Sequence, residues 1–166
     1  MNRKGFTLIE LLAVIIILAI ILVIAAPSIS NVYKNSKLKS EQVFINRLST
    51  IIDSYVKLNT DTIGFTRETE PAKKDGQNVT IYRGTKTIND IINDNLLSHE
   101  DYVNAGNKDE SCSPNAVIEV YRDSDFVYCH KVAASSLGCI TEDYIKSICP
   151  EEDETCYIID TCIWSK

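Results

Sequence analysis

Glycine and histidine are both scarce in this chain of 166 residues. Only six glycines occur and none are grouped, so the sequence lacks a glycine-rich loop of the kind that cradles phosphates. The two histidines, His99 and His130, lie in no recognised nucleophile or metal-binding motif. The acidic run at residues 151–154 lacks the alternating ligand spacing of a calcium loop. The sequence therefore predicts no catalytic residue, no metal and no cofactor, and a protein that is not an enzyme.

Positive charge is also limited. The formal net charge is −6, from 17 lysines and arginines against 23 acidic residues. An acidic domain is poorly suited to nonspecific binding of the DNA backbone. The composition thus disfavours nucleic acid as a partner, although Lys73-Lys74 forms a local basic spot.

The N-terminus carries the most specific pattern in the chain. Two cations, Arg3 and Lys4, are followed by Gly5-Phe6-Thr7-Leu8-Ile9-Glu10, by sixteen apolar or small residues at 11–26, and by Pro27. As a helix, residues 6–26 would span about 30 Å, enough to cross a bilayer. A carboxylate such as Glu10 costs several kcal/mol in hydrocarbon, so it is expected to have a partner.

Three interpretations compete for this segment. A cleaved secretory signal would be cut after Ala26, but Pro27 is a poor context for cleavage and Glu10 would lie within the apolar core. A plain signal anchor, with its cations held in the cytoplasm, gives no reason for Glu10. The third interpretation accounts for each of these features.

The string Lys4-Gly5-Phe6-Thr7-Leu8-Ile9-Glu10, with Pro27 after it, resembles the processing site of bacterial type IV prepilins and pseudopilins. The resemblance implies that a membrane-embedded prepilin peptidase cuts between Gly5 and Phe6 and methylates the new amine of Phe6. It also implies that the Phe6 amine and the Glu10 carboxylate neutralise each other between neighbouring subunits. The alternative is that Glu10 only reaches the membrane interface.

The resemblance further implies a structural subunit of a type IV pilus. Such a subunit would wait in the cytoplasmic membrane as a single-pass protein. An assembly platform and its ATPase would then lift it into a helical polymer with itself or with other pilins on the cell surface. A minor pilin, or a pseudopilin for competence or secretion, remains an alternative. A signal-anchored binding or enzymatic domain is an alternative of another class.

The predicted fold is α+β, with one long helix packed on a small antiparallel sheet. We expect Pro27 to kink the helix near residues 23–27 and the helix to end near residue 58. Apolar residues at helical spacing in 44–55 would pack on the sheet. The polar stretch 34–42 would be a solvated neck, or its lysines would contact phosphate headgroups or acidic faces of neighbouring subunits. The predicted divisions are the leader 1–5, the membrane and assembly helix 6–27, the amphipathic half-helix 28–58, which is part of the head domain, and the globular αβ head 59–166 with its cysteine-rich last third.

Within the head, residues 59–78 are predicted to be a long connection. Strands are expected at 79–82, at 116–122 and 126–132 around a turn, and at 156–164. Helical spacing begins at residue 88 after the possible cap Thr87, and a second short helix is expected at 141–148 after Thr141.

All six cysteines fall in the last third of the chain: Cys112, Cys129, Cys139, Cys149, Cys156 and Cys162. An even number outside the membrane predicts disulfides, and the sequence leaves all fifteen pairings open. A partial metal site and free buried thiols are the alternatives. The absence of C-x-x-C, and the adjacency of Cys129 and His130 on opposite faces of a strand, both disfavour zinc.

Overall fold

The computed structural model describes residues 7–104, 106–107, 110–149 and 156–164, without the side chains of 25–28. The elements, in chain order, are helix α1 (Leu8–Leu58), a 3₁₀ turn (Thr60–Thr62), strands β1 (Thr66–Arg67), β2 (Ala72–Lys74), β3 (Gln77–Val79) and β4 (Ile81–Thr87), helix α2 (Ile88–Asn93), strands β5 (Val117–Asp123) and β6 (Tyr128–Ala133), helices α3 (Ala134–Leu137) and α4 (Glu142–Ile148), and strand β7 (Tyr157–Asp160). The predicted α+β class is confirmed. The chain divides into two compact units, Met1–Lys37 and Leu38–Lys166.

A five-stranded antiparallel sheet, in the order β1-β4-β5-β6-β7, forms the centre of the second unit. The longest pairing joins β4 to β5 through seven residue pairs, from Ile81↔Asp123 to Thr87↔Val117. The two-residue strand β1 and the four-residue strand β7 form the edges. The Cys129–Cys162 disulfide ties β6 to the segment that follows β7.

The C-terminal part of α1 supplies one side of the hydrophobic core. Its buried side chains recur at helical spacing. They are Phe44, Ile45, Leu48, Ile52, Tyr55 and Val56. They share one cluster with Ile118 and Val120 of β5, Val132 of β6 and Ile88 and Ile91 of α2. The predicted packing of the helix on the sheet is therefore confirmed.

One residue of the predicted solvated neck is instead fully buried. Glu41 accepts hydrogen bonds from the Thr141 amide (3.0 Å) and hydroxyl (2.7 Å) and from Asn104 Nδ2 (3.2 Å). Asn104 Nδ2 also donates to the Cys139 carbonyl at 2.8 Å. Expecting Glu41 to be solvated was wrong, because neutral donors from two distant segments replace its water. The side chain joins α1 to the segments around residues 104 and 141.

The predicted long connection at 59–78 was also wrong, since it contains β1, β2 and most of β3. Asp75 (φ 52°) and Gly76 (φ 79°) form a two-residue turn between β2 and β3, with both residues in the left-handed region. Asp-Gly is a strong signal for this type of hairpin turn. Lys74, before the turn, forms an ion pair with the buried Asp123 (3.0 Å), so the local basic spot is partly neutralised.

The ends of the other helices and strands agree only in part with the sequence predictions. Thr87 caps α2 through a reciprocal hydrogen-bonding box with Asp90, and Thr141 caps α4, as expected. The β5–β6 hairpin is confirmed, but the strand expected at 79–82 is divided between the end of β3 and the start of β4. The last strand covers only Tyr157–Asp160, shorter than the predicted 156–164.

Candidate functional site: the N-terminal segment and its helix

The first turn of α1 is capped by hydrogen bonds between Thr7 and Glu10. The Thr7 amide and hydroxyl donate to Glu10 Oε2 at 2.9 and 2.8 Å, and the Glu10 amide approaches the Thr7 hydroxyl at 3.4 Å. This is a capping box, in which residues at N-cap and N3 satisfy each other's backbone donors. This role of Thr7 was not predicted, although the T-x-x-E pattern of residues 7–10 is its sequence signal.

Every residue from Thr7 to Ile24 is exposed in the isolated chain. The exposed fractions of the large apolar side chains in this stretch run from 47% at Val14 to 85% at Leu8. Such a continuous apolar surface far exceeds the scattered apolar residues usual on a soluble protein. Lipid tails or the apolar helices of other chains are the surroundings that would cover it.

Within the described residues, no single unbroken helix is long and apolar enough to cross a membrane. A bent pair, Leu8–Ile24 with Ile29–Leu58, has the length and composition to do so. The break between these two stretches contains Pro27, whose side chain lies outside the described residues, as do Gly5 and Phe6. The roles of Gly5, Phe6 and Pro27 therefore stay predictions.

Comparison with known families identifies the leader. Residues 1–26 match the family described as the prokaryotic N-terminal methylation motif. The chain carries a type IV prepilin-like leader. The match ends at residue 26, and no curated protein and no solved structure is significantly similar to the chain. For this pilin-like protein, the motif implies processing by prepilin peptidase, and the long bent helix on an antiparallel sheet is a pilin-like α+β arrangement.

All six cysteines of the pilin-like head are paired. The disulfides are Cys112–Cys139, Cys129–Cys162 and Cys149–Cys156. The prediction of a disulfide framework is confirmed, and the alternatives of a cysteine-based metal site or free thiols were wrong because no sulfur remains free. In the described part of the chain, no group of three or more His, Cys, Asp and Glu residues is placed to hold a metal ion. The acidic run 151–154 lies outside that part.

The buried His130 contacts α1 on one side and the end of the chain on the other. Its Nε2 lies 3.3 Å from Ser49 Oγ, and its Nδ1 lies 3.3 Å from Thr161 Oγ1. Burial lowers the pKa of His130, while the negative charges of Asp53 and Asp160 partly oppose this effect. Cys129, the neighbouring residue, packs in a separate cluster with Ile81 and Tyr121, in agreement with the predicted opposite orientation. The geometry is that of a hydrogen-bonded core histidine between hydroxyl groups.

Proposed function

We propose that this protein is a structural subunit of a type IV pilus. It is cut between Gly5 and Phe6, methylated on Phe6, and assembled through its N-terminal helix into a surface fibre. The single observation that carries the proposal is the apolar surface of Leu8–Ile24, every residue of which is exposed in the isolated chain, with the carboxylate of Glu10 near its start. A bilayer covers such a surface before assembly, and the helices of neighbouring subunits cover it afterwards.

The charge of Glu10 would set the axial alignment of neighbouring helices. After cleavage, the new amine of Phe6 is the nearest cation along the chain, and it lies at a similar membrane depth. Between subunits, the pair would attract strongly because water is excluded, although desolvation offsets much of the gain. Its main effect is therefore to select one axial position of each helix against the next.

The remainder of the chain supports a structural role rather than a catalytic one. Pilin-like proteins are typically not enzymes, and the head of this one is closed by three disulfides around a packed core. Its partners would be further copies of itself or other pilins, the prepilin peptidase, and the assembly platform with its ATPase. Disulfides suit the oxidising surroundings of a surface fibre.

The proposal is tested by the N-terminal mass of the protein in membranes and in sheared surface material. A chain that begins at methylated Phe6 in both fractions supports it. A chain that still begins at Met1 and stays in the membrane indicates a signal-anchored domain instead. The abundance of the chain in sheared fibres then separates a major subunit from a minor pilin or a pseudopilin.

A substitution at Glu10 tests the assembly step separately. We expect Glu10→Ala to be processed and membrane-bound but to enter fibres poorly, whereas Glu142→Ala, which removes an exposed carboxylate of α4, enters normally. Wild-type incorporation of Glu10→Ala would refute the assembly role.

A further inference from the structure

Arg122, on β5, is held between aromatic rings instead of by a carboxylate. Its guanidinium carbon lies 4.2 Å from the ring centre of Tyr82, 4.9 Å from that of Phe126 and 5.2 Å from that of Phe65. No acidic residue in the described part of the chain forms an ion pair with it. Because Arg122 is partly exposed, its N–H donors remain available to a group from outside the chain.

The surrounding residues form one continuous surface. Arg67, Tyr82, Arg122 and Tyr128 lie directly opposite one another on four neighbouring strands, so they share one face of the sheet. The Phe65 ring lies 6.0 Å from that of Tyr128 and also faces Arg122. We call this surface the Arg122 patch; it consists of Phe65, Arg67, Tyr82, Arg122, Phe126 and Tyr128.

Phe126 is the most unusual member of the patch. Its φ is 60°, in the left-handed region that favours glycine or asparagine, and its side chain is 65% exposed. The turn is fixed by the buried Asp123, whose Oδ1 accepts from the amides of Asp125 and Val127 at 2.9 Å each. A bulky apolar ring is thus kept in an unfavourable backbone conformation and presented to solvent. Strain of this kind concentrates at recognition sites.

The composition and charge of the patch indicate its occupant. Arginine and aromatic residues dominate the energetic centres of protein interfaces, where lysine and acidic residues are depleted. Residues 38–166 contain 13 lysines and arginines against 22 acidic residues, a net charge of −9. A neighbouring copy can therefore place one of its many carboxylates on Arg122, and this local charge complementarity favours the contact although the two domains carry net charge of the same sign. A long polyanion such as nucleic acid would also have to bring its remaining charges over the acidic surface around the patch.

We propose that the Arg122 patch is a contact between the heads of neighbouring copies in the assembled fibre. Arg122 receives a carboxylate of the neighbouring head, and the ring of Phe126 packs against the surface beside that carboxylate. This proposal rests on the proposed function, since the fibre supplies the neighbouring copy. The contact is separate from the one made through Glu10, because it involves only residues of the sheet and its turns.

The test uses the full-length protein in the cells that produce it. Phe126 is replaced by the photo-reactive p-benzoylphenylalanine, a related aromatic residue, and sheared fibres are irradiated. We expect a covalent dimer of the mature chain, with the cross-link mapped by mass spectrometry to an acidic segment of the second copy. Adding Arg122→Glu should lower the dimer yield at least tenfold. The matched charge reversal Arg47→Glu, at an exposed arginine outside the patch, should leave the yield unchanged.

A second variant separates recognition from folding. Phe126→Asn suits the left-handed backbone and removes the ring. We expect its melting temperature to be no lower than that of the wild type, whereas its fibres dissociate at a lower detergent concentration. If Phe126→Asn instead lowers the melting temperature and leaves the fibres unchanged, the ring serves the fold of its own head and the proposal is overturned.

The outcomes also distinguish this proposal from the one on which it rests. Normal fibres without the covalent dimer, or with adducts to a glycan, a nucleic acid or a different protein, overturn the head contact and leave the pilus subunit intact. Absence of the chain from wild-type surface fibres overturns both proposals.

Discussion

Thr7 donates two hydrogen bonds, from its amide and its hydroxyl, to the same carboxylate oxygen of Glu10. One oxygen of the carboxylate proposed to bind a neighbouring subunit is thus already satisfied within its own chain. Because both bonds go to Oε2, Oε1 can accept from the amine of a neighbouring subunit without breaking them. In the proposed assembly, Thr7 therefore fixes the orientation in which Glu10 presents its second oxygen.

Thr7→Val removes the hydroxyl and keeps the shape of the side chain. Loss of an N-cap hydroxyl costs about 1 kcal/mol. We expect less of this variant in sheared fibres than of the wild type, with Thr7→Ser close to normal. In a Glu10→Ala background, Thr7→Val should have no further effect, because the group that it orients is gone. Quantification of fibre protein, with the N-terminal mass to verify processing, checks this expectation, and additive losses in the double variant would contradict it.

Glu41 is predicted to be one of the most sensitive positions of the head. Glu41→Ala leaves the amide and hydroxyl of Thr141 without their acceptor and removes one of the two acceptors of Asn104 Nδ2, at a cost of about 2–3 kcal/mol in the free energy of unfolding. Thermal or denaturant unfolding of the full-length protein in detergent measures this loss. Glu142→Ala, at the exposed start of α4, is the matched control and should change the stability little. Equal effects of the two substitutions would show that Glu41 does not hold the segments together.

We expect the head to become less stable in mild acid because His130 is buried. Its pKa is lowered in the folded protein by burial, so below about pH 6.5, the usual value, the unfolded chain binds a proton that the folded chain does not. Stability is therefore full above this pH and falls as the pH decreases toward the lowered pKa.

Asp53, Lys57 and Asp160 are the charged groups that act on His130, and only Lys57 assists burial in lowering its pKa. We expect the melting temperature of the wild type to fall more between pH 7.5 and 5.5 than that of His130→Gln, even though the variant is less stable at pH 7.5. Parallel pH profiles would show that another group titrates in this range.

The disulfides should differ in their contribution to stability according to the length of chain that they close. Cys129 and Cys162 are separated by 33 residues, and Cys149 and Cys156 by 7. Loop-closure entropy gives about 4 kcal/mol for the longer loop and about 2 kcal/mol for the shorter one, in a model-dependent treatment. Cys162→Ser should therefore lower the denaturation midpoint more than Cys156→Ser. We expect both variants to yield fewer fibres, and normal fibres from either would refute a mechanical role for the bridges.

Sequence patterns predicted the elements whose signals are local. The leader, the caps Thr87 and Thr141, and the spacing of core residues in 44–55 each depend on neighbours within a few positions. The Asp75-Gly76 turn and the T-x-x-E box at residue 7 were equally local but were missed. In both cases another feature of the same residues is more prominent: the polar composition of residues 59–78 and the charge of Glu10.

Features that depend on distant segments could not be predicted in this way. Burial of Glu41 requires Thr141, one hundred residues later, and the aromatic surroundings of Arg122 come from β4, the segment before β1 and the β5–β6 turn. The Cys129–Cys162 pairing likewise follows from the strand order, which places β6 beside β7. Only the folded sheet brings these groups together.

The short edge strands limit how sheets of separate chains can pair. An exposed, long edge strand recruits further chains by adding them to the sheet, which is the route to amyloid and to donor-strand fibres. Here one edge of the five-stranded sheet offers two residues and the other offers four, and the Lys131–Asp160 ion pair joins the second edge strand to β6. Such edges provide too few backbone hydrogen bonds for another chain to pair with them. The fold therefore protects the head against uncontrolled edge-to-edge aggregation, and growth of the proposed fibre would be left to contacts that proteolytic processing makes available.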